Sequence, residues 1–169
     1  MRPTEKKSDS SRLTAGDITV RPATIDDLAG IFHLGEKVFT ADNLSNLYRT
    51  WDEYEVTGLF HAEGEHVLVA EAGGRVVGFA MGTVIEKART AWNYGHLLWL
   101  GVDPDCARLG IASKLFSRFR DLMEDAGARI MMVDTQADNE PAIRFFQRQG
   151  FVNPTDHVYM TLNLETDNG

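Results

Sequence analysis

The sequence predicts an α/β fold, a single mixed β-sheet of about six to seven strands with helices on both faces. Three observations carry this expectation. Strand-like runs and segments of helical period follow one another in the order β-α-α-β-β-β-α-β-α-β, with no repeat or low-complexity tract between them. The runs 95–102 and 130–133 are apolar almost throughout, as strands covered on both faces are. The length of 169 residues suits one domain of ordinary size, whose folding buries roughly 70% of the unfolded surface without disulfides or a structural metal.

Residues 1–16 are polar and aperiodic and read as a disordered polar tail, with one domain over 17–169. Ile18 and Val20 open a short strand that Arg21-Pro22 ends. Thr24 supplies a helix N-cap and Asp26-Asp27 an acidic first turn, after which Leu28, Ile31, Phe32, Gly35, Val38 and Phe39 recur at helical spacing. A weaker helical pattern runs over about 43–58 through Leu44, Leu47, Tyr48, Trp51 and Tyr54. The β-rich runs 66–71 and 75–84 are joined by Gly73-Gly74, a hairpin signal. Asp103-Pro104 stops the strand at 95–102. Leu115, Phe119, Leu122 and Met123 then predict a helix over 110–125, with Gly127 past its end. A strand at 130–133 precedes a helix over 139–149, which has Pro141 near its start and Gly150 after it. The alternation from Val158 to Leu164 reads as a last antiparallel strand, at or next to the sheet edge.

Composition narrows the functions open to such a fold. Hydrophobic residues make up 43% and charged residues 25%, values of a soluble globular chain. No apolar run approaches the ~18 residues of a membrane span, and the N-terminal segment has no apolar core, so a cytoplasmic setting is expected. Cys106 is the only cysteine, and His33, His61, His66 and His157 lack metal-ligand spacing, so neither a disulfide framework nor a metal site is expected. A net charge of −8 argues against nucleic-acid and membrane partners. Its placement matters more than its size: residues 106–120 carry four cations (Arg108, Lys114, Arg118, Arg120) and no carboxylate, whereas residues 40–66 carry six carboxylates against Arg49.

The chemistry is expected where the buried strand 95–102 passes through Asp103-Pro104 into the helix that follows Gly110. A strand feeding a glycine turn that opens a helix presents free N–H groups and the positive end of the helix dipole, a ready anion site. Any α/β crossover contains such a turn, so anion binding stays open on this segment alone. No dinucleotide or P-loop glycine motif is present. The stretch V-D-P-D-C-A-R-L-G-I-A-S-K-L (102–115) is similar to the acyl-CoA-binding segment of the GCN5-related N-acetyltransferases (GNAT), whose core is Q/R-x-x-G-x-G/A. The stretch D-N-E-P-A-I-R-F-F-Q-R-Q-G-F (138–151) resembles the same family's N-x-x-A-x-x-[aliphatic]-Y-x-x-x-G-F segment, and the two lie in the family's order.

The resemblance implies a centrally splayed sheet, acetyl-CoA as cosubstrate and direct transfer of acetyl to a primary amine, either a protein or peptide N-terminus or a small amine. It implies that the backbone of Leu100, Gly101 and Val102 pairs with the pantetheine arm. It further implies that Arg108, Leu109, Gly110, Ile111, Ala112 and Ser113 cradle the pyrophosphate, and that Asn139 meets the pantetheine amides. Asn139 also reads as a plain helix N-cap. Two positions depart from the family. Ala107 stands at the leading Gln or Arg, so Arg108 or another cation must serve. Phe146 stands where many members carry a tyrosine acid; it can pack beside the thioester but has no proton to give.

Acetyl transfer needs a neutral amine, an aligned thioester and stabilisation of the oxyanion. A lysine-like amine pays roughly 4–5 kcal/mol to deprotonate at pH 7, an α-amine only about 1. His96 is the favoured base, since the resemblance puts a strand-borne base there and imidazole suits neutral pH. Strict alternation sets His96, Leu98, Leu100 and Val102 on one face. A histidine satisfied within the fold is the alternative. Asp134 is the second candidate base, or else a structural carboxylate. Tyr159 and Tyr94 are candidate acids. The acidic stretch 40–66, with Tyr48, Trp51 and Tyr54, is a candidate wall for a cationic acceptor, or else a solvated face over packing aromatics. Family members often form homodimers. A non-catalytic acyl-CoA-binding regulatory module is the alternative function that Phe146 keeps open.

Overall fold

The apolar runs become five strands of one sheet in the computed structural model, which describes residues 13–40, 50–89, 92–158, 160, 162 and 164. The strands are β1 (Thr19–Pro22), β2 (Val67–Ala72), β3 (Arg75–Ile85), β4 (Asn93–Val102) and β5 (Ala128–Val133), adjacent in that order. The helices are α1 (Leu28–Val38), α2 (Glu53–Glu63), α3 (Ile111–Asp125) and α4 (Glu140–Arg148). Hairpins and longer returns make β1 to β4 antiparallel, and the α3 crossover makes β5 parallel to β4. The mixed sheet with helices on both faces is therefore observed, with five strands among the described residues against the six to seven expected.

Alternation within β2 shows how the two layers form. Leu68 and Ala70 pack under α3 with Leu115, Phe116 and Phe119, while Val67 and Val69 pack under α1 and α2 with Ile31, Leu34 and Val56. Burial on both faces is found in β2 and the middle of β3, whereas the run 130–133, expected to be covered on both faces, is not: β5 is the last strand of the described order, only its Ala128 is buried, and Ile130 is 42% exposed. The last expected strand is the correction. Val158, Met160, Leu162 and Leu164 belong to no strand and are 78%, 86%, 82% and 84% exposed. Period-2 alternation marks a face that can be buried; a neighbouring strand must still take up the backbone groups, and none of the five is registered against the described residues of this run. Within the expected tail, Leu13 packs against the α3-side core and Ala15 accepts a hydrogen bond from Lys114.

The second helix also differs from its expected span. Asp52 caps α2, its Oδ1 accepting the Glu55 N–H at 2.8 Å, so the helix starts ten residues later than the pattern proposed; Leu44, Leu47 and Tyr48 lie outside the described residues. Trp51 precedes the helix and serves the core. Its Nε1–H donates to Phe32 O at 3.0 Å, and its ring stacks on Phe79 at 5.2 Å. The ring fills the space a side chain on Gly35 would need: a Cβ there falls 1.9 Å from Trp51 Cε2. Helix propensity favours Gly35→Ala by about 1 kcal/mol. Overpacking is expected to win, with a net loss of about 2 kcal/mol in urea unfolding.

Asp27, at the start of α1, is buried and held by Arg21 through two bonds of 2.7 and 2.9 Å, while Thr24 gives it an N–H and a hydroxyl. Arg21 also grips Glu71 of β2. The Arg21 guanidinium, with the Thr24 donors, outweighs burial and lowers the Asp27 carboxyl to about 2. A depressed carboxyl contributes stability above its unfolded value of 3.8 and loses it as pH falls toward 2. This pair is expected to contribute about 2 kcal/mol at neutral pH. Unfolding free energy should fall by that much between pH 5 and 2, and Asp27→Asn should flatten that part of the curve. Among the described residues no helix is long and apolar enough to cross a membrane.

Candidate active site

The sheet opens between its last two described strands. β4 and β5 pair in parallel from Asn93↔Ala128 only as far as Leu97↔Val133. From Leu98 to Val102, β4 continues without β5, while its other edge stays registered to β3 as far as Gly78↔Val102. Residues 98–102 therefore offer a row of backbone groups on the opened side, the requirement for pairing with an extended, amide-bearing ligand.

A bulge lies at the same point. Met81 faces Trp99 and Gly82 faces Leu97, so Leu98 has no opposite residue on β3. An extra residue re-aims everything beyond it. Leu97, Leu100 and Val102 turn to the α3 layer, whereas Leu98 and Trp99 both turn to α1 and α2. The single face proposed for His96, Leu98, Leu100 and Val102 is thus overturned. Gly95 and Leu97 lie against α3, where a Cβ on Gly95 would fall 2.8 Å from Met123 Cγ, so His96 between them faces the α1–α2 side.

On that side His96 meets Asp134, with Nε2 2.9 Å from Oδ1. The register explains the meeting. Met132 is the β5 partner of His96, and Asp134, two residues on, projects to the same face just where β5 leaves the sheet. The two candidate bases are therefore one hydrogen-bonded pair. Thr83, opposite His96 on β3, donates to Glu63 Oε1 at 2.9 Å, and Glu63 Oε2 lies 2.9 Å from buried His66 Nδ1. Trp99 Nε1–H donates to Glu55 at 2.9 Å. Several carboxylates of the acidic stretch thus serve the fold as well as line this side. Tyr94 carries Lys87 over its ring at 4.6 Å, and Tyr159 lies outside the described residues.

The opposite side of the opening carries the anion features. Asp103 is buried and bonds Lys37 of α1 at 2.6 Å and the Asp105 N–H at 3.1 Å, fixing the chain as it leaves β4. Burial alone would raise its carboxyl, but the Lys37 ammonium and the Asp105 N–H, with Arg75 farther off, hold it below the ordinary value. Gly110 precedes α3 at φ 72° and has no side chain to cap it. The first intrahelical bond is Lys114 N–H to Gly110 O, so the N–H groups of Ile111, Ala112 and Ser113 come before the ladder starts.

An open pocket of about 380 Å³ lies here. Val102, Arg108, Gly110, Ile111, Ala112 and Ser113 line it, as do Phe145 and Arg148 of α4. Those last two were missed in the sequence; three residues apart, they share one face of α4. Arg148 offers a second cation beside Arg108 where Ala107 replaces the usual one. Of the other expected cofactor residues, Leu100 packs into the α3-side core and Gly101 against Phe79. Leu109 is not part of the pocket lining. Asn139 caps α4, accepting the Ala142 N–H at 3.3 Å and donating to Thr135 at 3.0 Å. Phe146 is buried between Phe145 and Phe151, so the aromatic facing the pocket is its neighbour. Cys106 is buried in the core.

An opening between two parallel strands beside an uncapped helix start is the arrangement the two motifs imply, and residues 30–151 match the Acetyltransferase (GNAT) family. The chain belongs to this family. Mycothiol acetyltransferase of Pseudarthrobacter chlorophenolicus is 32% identical over 85 residues, 50% of this chain and 26% of that protein. Of four curated relatives it matches, the chain spans between 26% and 60% of their length. Among solved structures, an aminoglycoside acetyltransferase from an uncultured soil metagenomic sample superposes with a TM-score of 0.70 at 21% identity, over 88% of this chain and 98% of that one. A chain of the NatC complex bound to Gag peptide and CoA gives 0.69 at 20% identity, over 82% and 87%. At these identities the likeness speaks for the shared GNAT fold.

Proposed function

We propose that this GNAT protein is an acetyl-CoA-dependent N-acetyltransferase of the cytoplasm that moves acetyl directly to a primary amine, with His96 as the base. One observation carries the reading: the opened edge of β4 has an anion cradle on one side and the His96–Asp134 pair on the other, where donor and acceptor would meet. Acetyl-CoA supplies an activated thioester and an anionic tail. The protein's part is to hold that tail on the N–H groups of Ile111, Ala112 and Ser113 with Arg108 and Arg148, and to line the arm along residues 98–102. The Val102 N–H is the proposed oxyanion donor, as in the family.

On the α1–α2 side, His96 takes the amine proton. Phe146 offers none to the thiolate, and a thiol of pKa about 8.5 leaves tolerably without one. Glu63, Glu65 and Asp134 make this side attractive to a cationic amine. The acceptor is a peptide α-amine or a small amine; the similar proteins include both a Gag-peptide-bound complex and aminoglycoside acetyltransferases.

Thiol release from acetyl-CoA tests this with an N-terminally free peptide, spermidine and an aminoglycoside as acceptors. Turnover on at least one is expected. Tight acetyl-CoA binding with no turnover on any would instead favour the non-catalytic acyl-CoA-binding module that Phe146 keeps open.

A further inference from the structure

We infer that Asp134 is a positioning residue for His96: its carboxylate accepts the Nε2–H and so leaves Nδ1 as the unprotonated nitrogen that takes the acceptor's proton. This rests on the proposed role of His96. A neutral imidazole has one donor and one acceptor nitrogen, and the partner of one decides the state of the other. At 2.9 Å from Nε2, Asp134 Oδ1 can only accept, which assigns the proton to Nε2. Nδ1 has no partner among the described residues, and the His96 side chain retains 18% exposure.

The alternative is Asp134 itself as base, which the tautomer of Asp134→Asn separates from a positioning role. The pair also sits at the point of use. His96 lies on the last paired stretch of β4, and Asp134 follows the last paired residue of β5, so the bond spans the strands where they part. Among the described residues, polar and charged groups at neighbouring positions include Thr83 with Glu63, and Tyr94 with Lys87. None of them is recorded within bonding distance of its ring. In the reaction the ammonium proton passes to Nδ1, giving an imidazolium that Asp134 steadies. The new C–N bond forms as the thioester C–S bond breaks, with its electron pair leaving on sulfur and the second proton of the nitrogen lost to water.

Nitrogen-15 NMR of histidine-labelled protein at alkaline pH reads the tautomer directly. Wild-type His96 is expected as the Nε2–H form. Asp134→Asn is isosteric, and its amide can donate to Nε2, so His96 should shift toward the Nδ1–H form while kcat/KM falls about 10- to 100-fold. That is less than the ~10⁴ typical of a buried triad, because the Asp134 side chain is 41% exposed. Asp134→Glu should restore the Nε2–H form and part of the rate. Wild-type His96 in the Nδ1–H form overturns the assignment whatever the acceptor. So does an Asp134→Asn protein that loses activity with its tautomer unchanged, which would make Asp134 the base. Full activity in His96→Ala would remove the base reading, while the tautomer shift would still report whether Asp134 orients the ring.

Discussion

His96→Ala is expected to lower kcat/KM by about 10²- to 10³-fold and to remove the acid-side limb of its pH profile. General-base catalysis contributes about 10²–10⁴, and the lower part of that range suits a base that retains some solvent contact. The change should fall mainly on kcat/KM for the amine. The acetyl-CoA dissociation constant should stay near wild type, because the pocket at the start of α3 lies on the other side of the sheet opening. The size of the loss should also depend on the acceptor. An α-amine is partly neutral at pH 7 and a lysine-like amine is almost wholly protonated, so removing the base costs more with the second. Initial rates from pH 6 to 9 with an N-terminally free peptide and with spermidine check both points. An unchanged profile with both acceptors would remove His96 from the chemistry. Stability should change little, since the His96 side chain is only partly buried and bonded to one exposed partner.

The parts of this site that were legible in the sequence are local ones. Gly110 ahead of a small-residue helix start, Asn139 as a cap and Gly150 as a stop each follow from backbone rules that need no tertiary contact. The layers were legible only in part: both apolar runs form strands, but β4 alternates buried and half-buried positions and β5, last in the described order, keeps only Ala128 buried. What failed depended on partners far along the chain. The bulge at Leu98 was invisible because Leu97, Leu98, Trp99 and Leu100 are all apolar, so a slip of one residue changes no pattern. The pairing of His96 with Asp134 needs the β4–β5 register across 38 positions. Arg148 and Phe145 reach the pocket only because α4 packs beside α3, through Phe116 and Phe145 at 6.4 Å. Trp51 carried helical spacing but follows α1 rather than α2, since the groove left by Gly35 is a better site for an indole than a helix face. The run ending at Leu164 has the pattern of a strand and, among the described residues, no neighbour.

Gly110→Val is expected to raise KM for acetyl-CoA about 30-fold while leaving kcat at saturation within a factor of a few. Gly110 sits at φ 72° and ψ 16°, the left-handed region that a β-branched residue resists most. Holding valine there costs about 2 kcal/mol, which is close to 30-fold in an equilibrium constant. The cost is conformational, since a Cβ at Gly110 meets nothing within 4 Å. The strain is relieved by turning the peptide that leads into Ile111, Ala112 and Ser113, and those are the N–H groups proposed to hold the anionic tail. Contacts to a remote, unreacting part of a substrate act equally in ground and transition states, so the loss appears in KM rather than kcat. Gly110→Asn separates this account from simple crowding: asparagine is as bulky as valine but tolerates the left-handed region, so its KM should stay within about threefold of wild type. Equal damage from valine and asparagine would mean that space, rather than backbone conformation, governs the cradle. Initial rates over a range of acetyl-CoA concentrations at a fixed, saturating amine decide between them.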